Sequence, residues 1–412
     1  MPPQAGAEQT EIRSAFFPAE WFPQSGVQLT WPHAATDWAP ILGEVDDCYV
    51  HIALEILLRN ELLLIVTPEP ARVQELLHER IPARLLPHVC YFECSTNDTW
   101  ARDHAFLTLM SEAGPRLLDF QFNGWGLKFP SNLDNQINRR LASVAPLAEV
   151  CSGEGPSKSP LHGTYESHLD FVLEGGSIES DGCGTLLTTS VCLLSPNRNP
   201  LLTRDEIEHR LLHYFHAERV LWLDHGYLAG DDTESHIDTL ARFCPGSTIA
   251  YVQCTDPADE HYEALRAMEQ QLRSLMLPSS SALPPSMQAS SSALPLSPQP
   301  PSSIAPGDAV VENGPQGLYR LLPLPLPSPI YDPDDGHRLP ATYANFLVLN
   351  GAVLLPTYGQ PATDDLARSQ LQKAFPKYDI VPIDCRVLLR QHGSLHCSTM
   401  QYPVGVFTNN PH

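Results

Sequence analysis

Cys397 lies in the run Gln391-His392-Gly393-Ser394-Leu395-His396-Cys397-Ser398-Thr399-Met400-Gln401, a little beyond the apolar stretch Ile380-Val381-Pro382-Ile383-Asp384. A loop leaving a strand is where a rigid scaffold can hold a nucleophile. A thiolate beside histidines is a far better nucleophile than a free thiol of pKa roughly 8.5. A buried structural cysteine is the plainer reading, and a metal site from His392, His396 and Cys397 is another.

Four upstream segments carry groups that could work with such a thiol. In Asn97-Asp98-Thr99-Trp100-Ala101-Arg102-Asp103-His104, Asp103 could bind a cation, with Trp100 offering a π face beside it. An ordinary polar loop with surface ion pairs explains the same residues. In Phe122-Asn123-Gly124-Trp125-Gly126-Leu127-Lys128, two glycines around Trp125 permit close backbone approach, or simply a tight turn. Glu174 precedes Gly175-Gly176 at the end of an apolar strand, where a hairpin would explain the glycines but not the acid. In Gly230-Asp231-Asp232-Thr233-Glu234-Ser235-His236-Ile237-Asp238, His236 and Asp238 alternate as on one face of an extended segment. Histidine suits proton transfer near neutrality. Metal binding by His236, Asp238, Asp231 and Asp232 is the rival there.

One chemistry uses all of these groups. Two carboxylates flanking a pocket hold a planar guanidinium through charge-assisted hydrogen bonds. A cysteine thiolate then attacks the central carbon while a histidine shuttles protons.

The elements that must position these residues alternate β and α. Val27–Pro32 reads as a short strand, residues 45–58 as a helix, Leu62–Pro68 as a buried strand, Pro70–Arg80 as a helix and Val89–Cys94 as a strand. Leu117–Phe122 is strand-like and residues 131–144 helical. Leu169–Leu173 and Thr185–Thr189 read as a strand pair. Thr203–His216 reads as a helix with Thr203 as N-cap and Glu206 in the capping-box position. Val220–Leu223 and Thr248–Val252 are strands, Asp259–Leu275 is a helix, Phe346–Leu355 contains strands, and Ala362–Phe375 is a helix. The pattern predicts an α/β fold without a glycine-rich nucleotide loop.

The whole chain sets further bounds. It has 412 residues, 42% hydrophobic, with a net charge of −23. Such acidity argues against nucleic acid and anionic membranes and favours cationic partners. There is no run of some eighteen apolar residues to span a membrane and no leader pattern. Ten scattered cysteines without a paired metal or disulfide rhythm suggest a reduced, cytoplasmic protein. Residues 1–24 are expected to be loosely ordered, 25–405 to form one domain, and 406–412 to be a tail. The Ser/Pro-rich stretch 278–315 reads as a disordered insertion in that domain.

The segments, in their order, resemble the agmatine deiminase / bacterial peptidyl-arginine deiminase family of the guanidino-group-modifying superfamily. The matching residues are Trp31-Pro32 and Trp38; Asn97 to Asp103; Phe122-Asn123-Gly124-Trp125-Gly126; Glu174-Gly175-Gly176; and Arg198-Asn199-Pro200. They continue with Asp231-Asp232-Thr233, His236-Ile237-Asp238, Tyr343-Ala344-Asn345-Phe346, Asn350-Gly351, Asp364-Asp365, and His396-Cys397 with Gln401 and Pro403. The resemblance implies a fivefold pseudo-symmetric α/β propeller (pentein) of ββαβ units around a central active site. It implies Cys397 as nucleophile, His236 as proton donor and then base, and Asp103 and Asp238 as guanidinium ligands. Glu174, Trp100, Asn345 and Trp125 would line the pocket. It further implies no metal or organic cofactor, a homo-oligomeric tendency, and agmatine as substrate, giving N-carbamoylputrescine on the way to putrescine. Peptidyl-arginine is the alternative substrate; an amidinotransferase or a non-catalytic binding protein stands further off. Peptidyl branches of the family place arginines near the pocket to hold a carboxylate. Between Asn123 and Pro130 this chain offers only Lys128, which favours agmatine.

Overall fold

The apolar run Leu62 to Val66 is a strand buried on both faces, as parallel strands beneath helices must be. The computed structural model describes residues 15–59, 61–144, 161–275 and 319–407. Its first strands are β1 (Ala15–Phe16), β2 (Gln24–Thr30), β3 (Leu62–Thr67), β4 (Val89–Glu93), β5 (Leu107–Ser111), β6 (Gly114–Gln121), β7 (Thr164–Val172), β8 (Ile178–Ser180) and β9 (Thr185–Thr189). They are followed by β10 (Arg219–Leu223), β11 (Ala241–Cys244), β12 (Thr248–Gln253), β13 (Arg320–Pro325), β14 (Leu347–Leu349), β15 (Ala352–Thr357), β16 (Asp379–Asp384) and β17 (Thr399–Pro403).

These strands form five small sheets, ordered β17-β2-β3-β4, β1-β5-β6-β7, β10-β9-β8, β11-β12-β13 and β14-β15-β16. Each contains an antiparallel pair followed by a parallel one: β17/β2/β3, β5/β6/β7, β8/β9/β10, β11/β12/β13 and β14/β15/β16. A parallel neighbour needs a crossover, and helices lie within those connections at Leu42–Leu58, Ile137–Ser143, Arg204–Phe215, Tyr262–Leu275 and Pro361–Ala374. The Arg204–Phe215 helix carries the expected capping box between Thr203 and Glu206. No helix among the described residues is long and apolar enough to cross a membrane.

Several expectations change. Leu169–Leu173 and Thr185–Thr189 do not pair: the first contributes to β7, parallel to β6, and the second is β9, between β8 and β10. Residues 15–24 are ordered rather than loose, because β1 pairs with β5 and Glu20 inserts among buried arginines. Val406 and Phe407, expected in a tail, are buried, and the Phe407 N–H bonds Ser25 Oγ at 3.0 Å. The stretch 278–315 lies outside the described residues.

The connections between successive sheets hold the chemistry. Asp103 lies between β4 and β5, Glu174 and Gly176 between β7 and β8, His236 and Asp238 between β10 and β11. Asn345 lies between β13 and β14, and Cys397 between β16 and β17.

Candidate active site

Gly176 marks where the site residues converge. A Cβ at this position would lie 2.7 Å from His236 Nδ1, 2.8 Å from Asp103 Oδ1 and 3.1 Å from Asp238 Oδ2. The preceding glycine passes over backbone, since a Cβ on Gly175 would meet the Arg102 carbonyl at 2.2 Å. Close approach, not hairpin geometry, explains this glycine pair.

Asp103 sits on the one-turn helix Ala101–His104, 4% exposed. It accepts hydrogen bonds from Trp125 Nε1 at 2.9 Å and the Gly176 N–H at 3.0 Å. Burial pushes its carboxyl up to about 6, opposed by His236 and reinforced by Asp238. Trp125 reaches it from a run of left-handed backbone, φ 54° at Trp125 and 68° at Leu127, a conformation that costs energy for non-glycine residues. Trp100 is buried instead against Gly393, where any Cβ would fall 2.3 Å from its ring, and lies 5.8 Å from the Trp38 ring.

His236 and Asp238 are not on an extended strand. Ile237–Thr239 is a 3₁₀ turn, yet it still directs both side chains inward. The approach to it is held by Asp231, which accepts from the Thr233 and Ser235 N–H groups at 3.0 and 2.6 Å. Asp231 is therefore a turn cap, and Asp232 faces His392 at 3.6 Å. Burial would lower the His236 pKa, but Asp103, Cys192 and Glu174 outweigh it and raise it to about 10. This histidine rests as an imidazolium.

Asp238 is fully buried. Its Oδ2 lies 2.7 Å from His396 Nδ1 and 3.8 Å from Cys397 Sγ, while its Oδ1 has no partner. Burial opposes ionisation, but the His396 hydrogen bond and the nearby His396, His236 and Arg242 charges hold its carboxyl below the usual range. Cys397 Sγ accepts from Asn345 Nδ2 at 3.2 Å, and Asn345 Oδ1 accepts the His396 and Cys397 N–H groups at 2.9 and 3.3 Å. Asn345 thus fixes the cysteine.

The thiol departs from expectation. Burial and the carboxylates of Asp238 and Asp103 push Cys397 well above an ordinary thiol, so the resting group is protonated. Neither neighbouring histidine activates it. His392 bonds the Gly230 carbonyl at 2.7 Å and stacks on His337, while His396 is turned toward Asp238 and Glu20. Glu174, expected to line the pocket, is fully buried with both oxygens 3.0 Å from Arg198 Nε. It belongs to a buried group with Cys192 and His236 whose ligand atoms lie within 4.8 Å of one another.

Several residues beyond the sequence reading support this site. Arg242 is fully buried; it pairs with Glu179 and Glu20, donates to the carbonyls of Ala344 and Phe346 at 3.0 and 2.8 Å, and lies over the Phe346 ring at 4.6 Å. It thereby clamps the loop carrying Asn345. Arg102 pairs with Glu20 at 3.3 Å and donates its backbone N–H to the Cys397 carbonyl at 3.1 Å. An isolated arginine or glutamate gives no local signal. Only Arg102 and Arg198 could have been noticed, from their places inside matched segments.

The match to known proteins covers the same residues. The family model described as Porphyromonas-type peptidyl-arginine deiminase matches residues 16–284 and 311–403. The chain belongs to this family. Among curated proteins, the agmatine deiminase of Pseudomonas syringae pathovar tomato is 31% identical, covering 94% of this chain and 95% of its own. Among solved structures, a Porphyromonas gingivalis protein carrying the provisional name arginine deiminase is 46% identical, with a TM-score of 0.78, covering 96% of this chain and 100% of its own. An agmatine deiminase from Campylobacter jejuni, solved with substrate bound, is 32% identical with a TM-score of 0.77, covering 97% and 100%.

Proposed function

We propose that the protein is an agmatine deiminase, hydrolysing the guanidinium of agmatine to N-carbamoylputrescine and ammonia through a covalent intermediate on Cys397. The observation that carries this reading is the convergence of Asp103, Asp238 and His236 around the space at Gly176, with Asp238 Oδ2 3.8 Å from the thiol. The free Oδ1 of Asp238 and the carboxylate of Asp103 face a guanidinium as two hydrogen-bond acceptors. The incoming cation offsets the carboxylates that hold the thiol protonated, so Cys397 releases its proton to solvent as substrate binds.

In the proposed sequence the thiolate attacks the central carbon. His236, already an imidazolium, gives its proton to the departing nitrogen, and ammonia leaves. The now neutral imidazole takes a proton from water, which attacks the amidino carbon and releases Cys397. Glu174, held by Arg198, keeps the imidazolium charged rather than touching substrate. Trp125 orients Asp103, Trp100 packs the wall, and Asn345 holds the sulfur.

The partners of two nearby basic residues support a substrate without a carboxylate. Lys128 is occupied by Glu234 at 3.5 Å and the Asp232 carbonyl at 2.7 Å, and Arg198 by Glu174 and Glu234. Neither Lys128 nor Arg198 is thus free to bind a substrate carboxylate. The description of the family model favours peptidyl-arginine as the second reading. We further propose that the five sheet units close as a pseudo-fivefold propeller around the site and that the enzyme works in the cytoplasm. The delivery of site residues by each inter-sheet connection supports the first. The absence of a disulfide among the described cysteines supports the second.

Ammonia release from agmatine, free arginine and a blocked arginyl peptide, each beside Cys397→Ala, tests the proposal. Cys397-dependent turnover of agmatine is expected. Preference for the peptide would move the protein to the peptidyl reading, and inactivity on all three would end both.

A further inference from the structure

His396 precedes the nucleophile in sequence but does not touch its sulfur among the hydrogen bonds of the site. Its Nδ1 lies 2.7 Å from Asp238 Oδ2, and its Nε2 lies 2.5 Å from Glu20 Oε1 and 3.0 Å from Arg242 Nη2. Glu20 in turn pairs with Arg242 through its other oxygen and with Arg102 at 3.3 Å. The charged groups around this imidazole come from four elements. Asp238 is on the turn before β11, Glu20 on the segment joining β1 to β2, Arg242 on β11, and Arg102 on the Ala101–His104 helix, with Glu179 of β8 behind Arg242. Two carboxylates and two guanidiniums thus enclose one ring.

We propose that His396 is a positioning residue for guanidinium binding, held by Glu20, which keeps Asp238 ionised and turns its unpartnered Oδ1 toward the substrate. This rests on the reading of Asp103 and Asp238 as guanidinium ligands, though not on agmatine being the natural substrate. An Asp238 carboxylate with both oxygens free would lie buried beside a second carboxylate, Asp103, and would take up a proton. The Nδ1–H of His396 occupies Oδ2 and makes ionisation the favoured state, which leaves Oδ1 with one orientation and one remaining partner to find.

Glu20 gives the N-terminal segment its place in this device. Phe17, Pro18, Ala19, Glu20 and Phe22 line a cleft that also reaches Arg102, Glu179 and Gln401 and takes in no site carboxylate. The support for Asp238 is therefore open to water at Glu20 but closed at His396, which is 1% exposed.

The test uses guanidinium ion binding to Cys397→Ala protein, measured by calorimetry from pH 5.5 to 8.5, so that it does not depend on turnover. Adding His396→Leu is expected to weaken binding about tenfold at pH 5.5, the loss that follows when the unsupported Asp238 carboxyl titrates about one unit above that pH, and to spare it by pH 8.5. His396→Gln, whose amide can still donate to Oδ2, is expected to recover most of the loss. A uniform loss at every pH, or none, in His396→Leu would overturn the proposal. Should that variant not fold, Glu20→Ala gives the second reading. It is expected to raise the agmatine KM several-fold with a smaller change in kcat, and a fall in kcat alone would overturn the proposal. Failure of the wild-type protein to turn over agmatine, with guanidinium binding intact, would defeat the functional reading and leave this one standing.

Discussion

Two groups of buried charge meet at Asp238, and they are built on opposite terms. On one side Glu20, Glu179, Arg102, Arg242 and His396 are cross-linked by ion pairs and hydrogen bonds, each charge facing an opposite one. On the other, Asp103 and Asp238 share a space with a protonated thiol and one imidazolium, and Asp238 Oδ1 is left without a partner. The first group is complete in the free protein. On the proposed reading, the second is complete only with a cation in it. Stability and binding are thus divided between neighbouring regions, the one satisfied so that the other can remain unsatisfied.

Breaking the satisfied side should have the largest effect on stability. Arg242→Met removes the partner of the buried Glu179 and the half-buried Glu20 and the clamp on the Asn345 loop, and is expected to cost on the order of 3–5 kcal/mol in urea unfolding. Asp103→Asn, on the other side, is expected to leave stability unchanged or higher while abolishing guanidinium binding. Equal destabilisation by the two variants would erase the distinction.

Next in size is a steric contrast within one glycine pair. Gly176→Ala places a methyl between His236, Asp103 and Asp238 and is expected to lower kcat/KM by on the order of 10²-fold or more, with little change in melting temperature. Gly175→Ala instead drives a methyl against the Arg102 carbonyl and should lower the melting temperature. Full activity in Gly176→Ala would mean that the three groups do not define the substrate space.

The smallest effect sharpens the comparison through pH. Asp103 must be ionised to bind a cation and His236 must be protonated to act as acid, so kcat/KM is expected to fall below pH about 6 and again above about 10. The sign for stability is the reverse of a salt-bridged acid. The Asp103 carboxyl is raised by folding, so its contribution is present below the unfolded value near 3.8 and is lost as pH rises through about 6. A bound guanidinium restores it, so ligand should raise the melting temperature more at pH 8 than at pH 5. A pH-independent ligand shift would count against Asp103 as a binding group.

How far the sequence revealed this follows the same division. Cys397, His236, Asp238 and Asp103 were legible because each sits in a short segment of unusual composition beside glycine or aromatic residues. The helix at Arg204–Phe215 was legible to its cap, because capping is local. Glu20 and Arg242 were not legible, since each is a single charge whose meaning comes from partners such as the Glu20–Arg242 pair, 222 positions apart in sequence. The ionisation state of Cys397 was not legible, for a related reason. Adjacency to His392 and His396 along the chain suggested a thiolate, but their rings turn elsewhere and two distant carboxylates decide the matter. The mistaken strand pair also came from reading neighbours in sequence as neighbours in a sheet.

The pairing of β17 with β2 brings together residues as far apart as Gln28 and Tyr402, whose side chains bond at 2.8 Å across 374 positions. Contacts of such separation form late, because closing a long loop precedes any reward from it. The proposed nucleophile, Cys397, lies just before β17, so it enters the site only with the strand that joins the two ends of the described chain. During synthesis on a ribosome, the proposed guanidinium ligands Asp103 and Asp238 emerge before Cys397. A partly made molecule therefore lacks both the thiol and the His396 that supports Asp238, and chemical competence becomes a report of finished folding.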